Sequence, residues 1–391
     1  MDLRKQKGLQ IFKTKTIQSG IDGWVVPSQT SNKKYFVRKD YSCSCPDHKT
    51  RGCTCKHAFA VQYFLQKITF TDKEVIIETK RLTYPQAWKA YNKSQQVEKE
   101  YFLKLLKDLT TTEQEKNFGR PKANLGEMAF CCTLKVYSQF STRRANTDIK
   151  EAFEKKLISK PHHYNTIIKY FDEPKLTPLL KELIDVSAEP LKSIETKFAV
   201  DSSGFRTTKF NEYCKEKHDT KKKHEWVKAH ICTGTKTNII TGIEITGEHG
   251  ADCPQFAPLI NHTASNGFEI KEASGDLAYS SRDNIGLIDS LGGIAYIPFK
   301  KTARGIPRGK THMWRKMFHY FKFNQEEFLE HYHVRSNVES TFNMVKAKFS
   351  DLIRSKKPTA QTNELLCKIL CHNIVVVIHE IHELGITAKF N

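Results

Sequence analysis

Residues 331–349, HYHVRSNVESTFNMVKAKF, set Tyr332, Arg335, Glu339 and Lys346 at steps of three, four and seven, which aligns them along one helical stripe. Val334, Val338, Phe342, Val345, Phe349 and Leu352 form a second, apolar stripe about 100° around the axis. One helix is therefore expected to bury a face while holding an ordered polar face beside it. Far upstream, Asp201 in VDSSG ends a first strand, and Asp276 in GDLAY follows a fourth. If those strands are neighbours, two carboxylates emerge side by side and the helix can bring Glu339 against them. Like charges that close raise carboxylate pKa values unless cations share them. Oxygen donors suit Mg²⁺ or Mn²⁺, and two such ions ~3.5–4 Å apart can activate water or a hydroxyl and stabilise the leaving oxygen of a phosphodiester. Taken singly, a post-strand Asp is most often a turn residue and a helix Glu a solvated one. The combined order of Asp, Asp and helix Glu, with Arg and Lys flanking the Glu, is what gives the set meaning.

A second constellation lies near the N-terminus. CSCPDHKTRGCTCKH holds Cys43-x-Cys45 and Cys55-x-His57, three thiolates and an imidazole suited to a closed tetrahedral Zn²⁺ site of the structural kind. Cys53 and His48 are spare ligands that could shift the set. Left without metal, bunched reduced thiols would be prone to oxidation. Two short strands, GWVVPS and KYFVRKDYS, precede the cluster and an apolar helix, HAFAVQYFLQ, follows it. So small a unit needs the metal for stability.

The rest of the chain must position these groups. Its 391 residues suggest two or three domains. With 63 Lys+Arg against 43 Asp+Glu the formal charge is +20, a field that draws polyanions and makes nucleic acid the natural partner. The opening MDLRKQKG lacks an apolar signal core, and the run IVVVI at 374–378 falls far short of the ~20 residues of a bilayer span. No membrane association and an intracellular, soluble protein are expected. Eleven cysteines, an odd number, favour reduced thiols and a metal cluster over a disulfide framework. Three regions follow: a zinc-binding β/α unit over 1–80, a helical DNA-binding region or linker over 81–190, and an α/β domain over 191–391. In the last, a strand at 196–205, β-rich runs around a Gly-Thr-Lys-Thr-Asn turn (224–247) and a helix from 253 precede a strand through FEIKEA. A helix in SSRDNIGLIDSLG, the strand IAYIPF, the 331–349 helix and an apolar helix near 363–384 complete it.

With these residues in view, the chain resembles the DDE transposases of bacterial and archaeal insertion sequences. Their third-acid region carries Tyr-x2-Arg-x3-Glu-x6-Lys, matched without a gap by Tyr332, Arg335, Glu339 and Lys346; VDSSG and GDLAY resemble the first- and second-acid motifs. The resemblance covers about 191–391. It implies an RNase H-like mixed sheet flanked by helices, with Asp201, Asp276 and Glu339 as catalytic Mg²⁺ (or Mn²⁺) ligands and Arg335, Lys346 and Tyr332 as contacts to DNA. It also implies cleavage at transposon ends in terminal inverted repeats, followed by attack of the freed 3′-OH on target double-stranded DNA, by a homodimer. That activity belongs beside the nucleoid in a prokaryotic cytoplasm, or in the nucleus of a eukaryote. Relatives that form DNA hairpins carry a β-rich insertion before the Glu helix. The short segment from Phe299 to His331 leaves no room for a large one, although Trp314 offers an aromatic. The cysteine cluster resembles a SWIM zinc finger, which implies Cys43, Cys45, Cys55 and His57 as Zn²⁺ ligands.

Weaker signals remain open. FGRPK (118–122) is either a minor-groove hook inserting Arg120 or a helix-terminating turn. The stretch 127–175 is either a helix-turn-helix or ordinary core helices, and the basic run 215–228 is a solvated loop or a phosphate-contacting edge. A transposon-derived DNA-binding protein without catalysis, and a nuclease without strand transfer, are the alternatives to a transposase.

Overall fold

The computed structural model describes residues 3–20, 22–29, 31, 33–52, 54–65, 67–71, 74–78, 87–111, 122–208, 226–305, 312–388 and 390. It divides into two units, Met1–Gln86 and Ala87–Asn391, each described by itself.

In the first unit, helix α1 (Leu3–Thr14) precedes an antiparallel meander of β1 (Gln18–Gly20), β2 (Gly23–Pro27) and β3 (Lys34–Arg38). Two helices follow, α2 (Pro46–Arg51) and α3 (Lys56–Leu65), then the hairpin β4 (Lys67–Thr71) and β5 (Glu74–Glu78). The Cys45 side chain caps α2 by accepting from His48 N–H, Pro46 sits where a missing N–H costs nothing, and Gly52 at φ 62° ends the helix. A β-bridge from Val37 to Cys43 ties the first thiol to β3. At Gly8 the backbones of α1 and α3 approach so closely that a Cβ would lie 2.8 Å from the Lys56 carbonyl oxygen. Ile11, Val26, Val37, Ala58, Ala60 and Val61 form a core continuous with the cysteines. It is small, as expected of a unit this short.

The second unit begins with α4 (Trp88–Leu109), α5 (Leu125–Tyr137), α6 (Asn146–Glu154), α7 (Tyr164–Phe171) and α8 (Leu176–Ala188). The sheet strands are β6 (Lys197–Arg206), β7 (Trp226–Gly234), β8 (Ile240–Gly247), β9 (Glu272–Gly275) and β10 (Ile294–Tyr296). Helix α9 (Cys253–Ser265) links β8 to β9, and α10 (Arg282–Ser290) links β9 to β10. The chain closes with α11 (His312–Phe323), α12 (Gln325–His333), α13 (Ser336–Phe349) and α14 (Pro358–Glu383).

The five strands lie in the order β10-β9-β6-β7-β8, with β6, β7 and β8 antiparallel and β9 and β10 parallel to β6. This mixed sheet flanked by helices is the expected RNase H-like architecture. β6 is central because Phe198, Ala199 and Val200 are buried on both of its faces. α14 is the axis around which α4, α5, α7 and α8 pack. By length and composition it could cross a bilayer, yet 78% of its apolar window is buried inside the protein, so it reads as a core helix. The helices of 88–188 thus belong to the same unit as the sheet.

Two local expectations change. The strand that carries Asp201 does not end there: pairing with β9 stops at Val200–Gly275, while pairing with β7 continues to Arg206. The 331–349 segment is two helices, α12 and α13, broken at Val334–Arg335, and Leu352 lies beyond α13, bridged to Arg206. Val338, Phe342, Val345 and Phe349 do form the buried seam, together with Thr341.

Candidate active site

Because Val200 pairs with Gly275 in parallel register, Asp201 and Asp276 are the next residues along two adjacent strands, which run about 4.8 Å apart. Gly275 packs tightly against Tyr279: a Cβ there would lie 3.0 Å from the ring, which would have to give way. Asp276 accepts from Ala278 N–H (2.8 Å) and caps the short 3₁₀ turn Leu277–Tyr279. Asp201 Oδ1 accepts from Ser202 N–H at 2.8 Å. The buried seam of α13 seats that helix against β6 and presents Glu339 in its first turn.

Arg335 lies at the break before α13 and joins two of these acids. Its Nη1 donates to Asp201 Oδ2 at 3.0 Å and its Nη2 to Glu339 Oε1 at 2.5 Å. The Tyr332 ring flanks the guanidinium, 5.8 Å from ring centre to Cζ. Tyr332, Arg335 and Glu339 are therefore continuous in space although the Tyr belongs to the preceding helix. Burial pushes the Asp201 carboxyl above its ordinary range, the Ser202 N–H and Arg335 oppose that, and Asp276 and Glu339 add to it. Asp201 thus feels both other acids, and Arg335 offsets part of that repulsion. Oxygen donors from separate elements, one of them exposed, are of the type a divalent cation takes; as they stand, with Arg335 between Asp201 and Glu339, the oxygens of all three do not lie within 4.8 Å of one another, so shared ligation requires the side chains to swing together.

Lys346 does not meet the acids. Its Nζ donates to Ser203 Oγ at 2.7 Å and lies 5.2 Å from the Phe205 ring centre, further along β6; burial lowers its pKa. Trp314 is a core residue: it is 6% exposed, donates Nε1–H to Arg304 O at 3.0 Å and lies under the Arg282 guanidinium. Arg120 lies outside the described residues, as does most of the basic run 215–228.

The sequence reading missed a network behind Asp201. Ser202 pairs in register with His230, and Asp252, at the head of α9, forms an ion pair with Lys228 Nζ at 2.7 Å and lies 3.3 Å from His230 Nδ1. Burial works against the Asp252 carboxylate, yet hydrogen bonds from Lys228 and Ser202 hold its pKa down. The Tyr279 phenol is buried, and that burial, then the charges of Asp201, Asp252 and Asp276, push its pKa up. In the sequence, Asp252 two residues before Pro254 signals only a helix start; its partners depend on strand register.

In the first unit, the ligand atoms of Cys43, Cys45, Cys55 and His57 all lie within 4.8 Å of one another, and all four residues are buried. A tetrahedral Zn²⁺ with bonds of about 2.0–2.3 Å would hold such atoms about 3.5–3.8 Å apart, so only a slight contraction is needed. Cys55 Sγ is 3.9 Å from His57 Nδ1, and His57 Nε2 is buried with no protein partner. Sharing a hydrogen bond splits two thiols: Cys55 is held low while Cys43 is pushed up. The donor set fits zinc.

The segment that carries the three acids matches a family model, while the thiol cluster lies outside it. Residues 192–374 match the Transposase DDE domain family. The match takes in Asp201, Asp276 and Glu339 and spans a little under half the chain. No curated protein matches. Among solved structures, a piggyBac transposase synaptic complex with hairpin DNA is similar at a TM-score of 0.35 and 12% identity over 74% of each chain. That likeness is too slight to carry argument. The DDE domain match and the register of β6 and β9 stand without it.

Proposed function

We propose that this protein is a DNA transposase whose DDE domain cuts at transposon ends and joins the freed 3′-OH to target DNA, with Asp201, Asp276 and Glu339 as the catalytic acids. The observation that carries the reading is the parallel register at Val200–Gly275, which aligns two carboxylates beneath the helix bearing the third. Divalent ions held by these oxygens would activate the attacking hydroxyl and offset charge on the leaving oxygen. Arg335 neutralises Asp201 and Glu339, and its planar fork also matches a phosphate. Cys43, Cys45, Cys55 and His57 would bind one structural Zn²⁺ in a SWIM-type finger.

The test uses the inverted repeat nearest the gene as a labelled duplex, incubated with the full chain and Mg²⁺ or Mn²⁺. Nicking that exposes a 3′-OH, joining to a plasmid, and loss of both in Asp276→Asn are expected. Tight binding with no nicking would establish a DNA-binding protein without catalysis. Cleavage without joining would establish a nuclease.

A further inference from the structure

Strand β6 leads from the acids to a groove that the catalytic reading leaves unassigned. Beyond Arg206 the chain continues as Thr207 and Thr208, while Arg206 N–H donates to Asp351 O at 2.9 Å and Ile353 N–H to Arg206 O at 2.7 Å. These bonds clamp the segment between α13 and α14 onto the end of the strand. The result is an open cleft of about 910 Å³, whose walls include Phe140, Arg144, Thr207, Arg354 and Lys356. Through Arg354 and Lys356 it joins a second cleft of about 480 Å³ that reaches Lys169.

The charge of this groove is one-sided. Arg144, Lys169, Arg354 and Lys356 are exposed, and none of them forms an ion pair among the described residues. The nearby acids are already engaged. Asp172 pairs with Lys357 at 2.5 Å, Asp351 holds Arg206 at 2.7 Å, and buried Glu364 accepts from the Arg354 and Ser355 N–H groups. Unpaired cations along a concave wall are the donor set for phosphate oxygens. Lys346 on Ser203 places a further cation between the acids and the groove.

We propose that this groove grips the backbone of duplex DNA at a distance from the bond being cut, acting as an anchor that sets how far the duplex extends past the acids. From Asp201 to Thr207 the strand runs about 20 Å at ~3.3 Å per residue. Duplex phosphates recur every ~3.4 Å along each strand, so a duplex lying along β6 meets the anchor about six base pairs from the acids. The inference rests on the DNA reading above, but its test does not require cleavage.

The experiment measures binding of the full chain to a fluorescein-labelled random-sequence duplex of about 30 base pairs, between about 50 and 200 mM NaCl. Replacing Arg144, Arg354 and Lys356 together by Ala should flatten the slope of log affinity against log salt by about 3, near one per lost phosphate contact. A control triple of exposed lysines elsewhere, Lys104, Lys150 and Lys316 to Ala, removes equal charge and should change the slope by less than about 1. Should the groove triple lose stability, Lys356→Gln alone should still lower the slope by about 1. Equal slopes for the groove and control triples would overturn the anchor. A native protein that binds through the groove yet never nicks DNA defeats the catalytic reading and leaves the anchor standing.

Discussion

Cys43, Cys45, Cys55 and His57 come from one short stretch of chain and are all buried, whereas Asp201, Asp276 and Glu339 come from two strands and a helix, with the Glu339 side chain 56% exposed. Both clusters crowd groups that repel when ionised. Among the described residues the thiol cluster has no cationic side chain at its centre and divides a proton between Cys43 and Cys55. The acid cluster carries its own cation, Arg335, bonded to two of its members. A closed site without an internal cation depends on a bound ion for its fold. An open site with one can stay folded when empty and exchange its charges for those of a substrate.

The largest expected effect follows from that dependence. Structural zinc contributes about 10–16 kcal/mol of apparent binding energy in small finger units. Cys45→Ser, or a strong chelator, should therefore remove about one equivalent of zinc and open residues 1–86 to proteolysis while residues 87–391 stay protected. Less than a tenth of an equivalent in well-folded native protein would remove the contrast. Next in size, Asp201→Asn and Glu339→Gln should each lower nicking by at least about 10³-fold with melting and zinc content unchanged. If either variant unfolded the second unit, its acid would be structural in the same sense as the thiols.

Arg335→Gln probes the internal cation directly. Without DNA, the three acids should then bind Mn²⁺ roughly tenfold more tightly, since a competing positive charge at hydrogen-bond distance is worth about one to three pKa units to a carboxylate. Nicking should nonetheless fall, because the side chain also matches phosphate. Unchanged Mn²⁺ affinity would show that Arg335 contributes only to orientation.

The two clusters also differ in how far they could be read from sequence. The thiol ligands are local, so their spacing nearly suffices. The acids were legible as types and order, and the strand pairing that brings Asp201 beside Asp276 follows from the family resemblance. The break at Val334–Arg335 was not legible: Arg335 keeps helical angles, φ −54° and ψ −32°, so the periodic stripe runs through it. Asp252 was missed because Lys228, His230 and Ser202 reach it only through β6–β7 register and the loop before α9. The packing of α4, α5, α7 and α8 around α14 depends on contacts between distant segments, to which helical periodicity in each element is blind.

The smallest effect concerns a carboxylate that lacks what Arg335 supplies. Glu380 on α14 is 6% exposed, and burial followed by Glu383 and Glu195 pushes its pKa up to about 7, with Lys236 opposing only in part. His379 is already engaged with Glu383 at 2.6 Å. Because the folded value lies above the ordinary 4.5, the folded protein holds the proton more tightly than the unfolded chain does. Stability should thus decline as pH climbs from about 4.5 through about 7 and level off beyond. Glu380→Gln should therefore stabilise the protein by about 1–3 kcal/mol at pH 8 and have little effect below pH 5, read from denaturant midpoints at the two pH values. A pH-independent effect would mean that Glu380 finds a compensating partner, and that buried acids in this fold do not need a cation like Arg335.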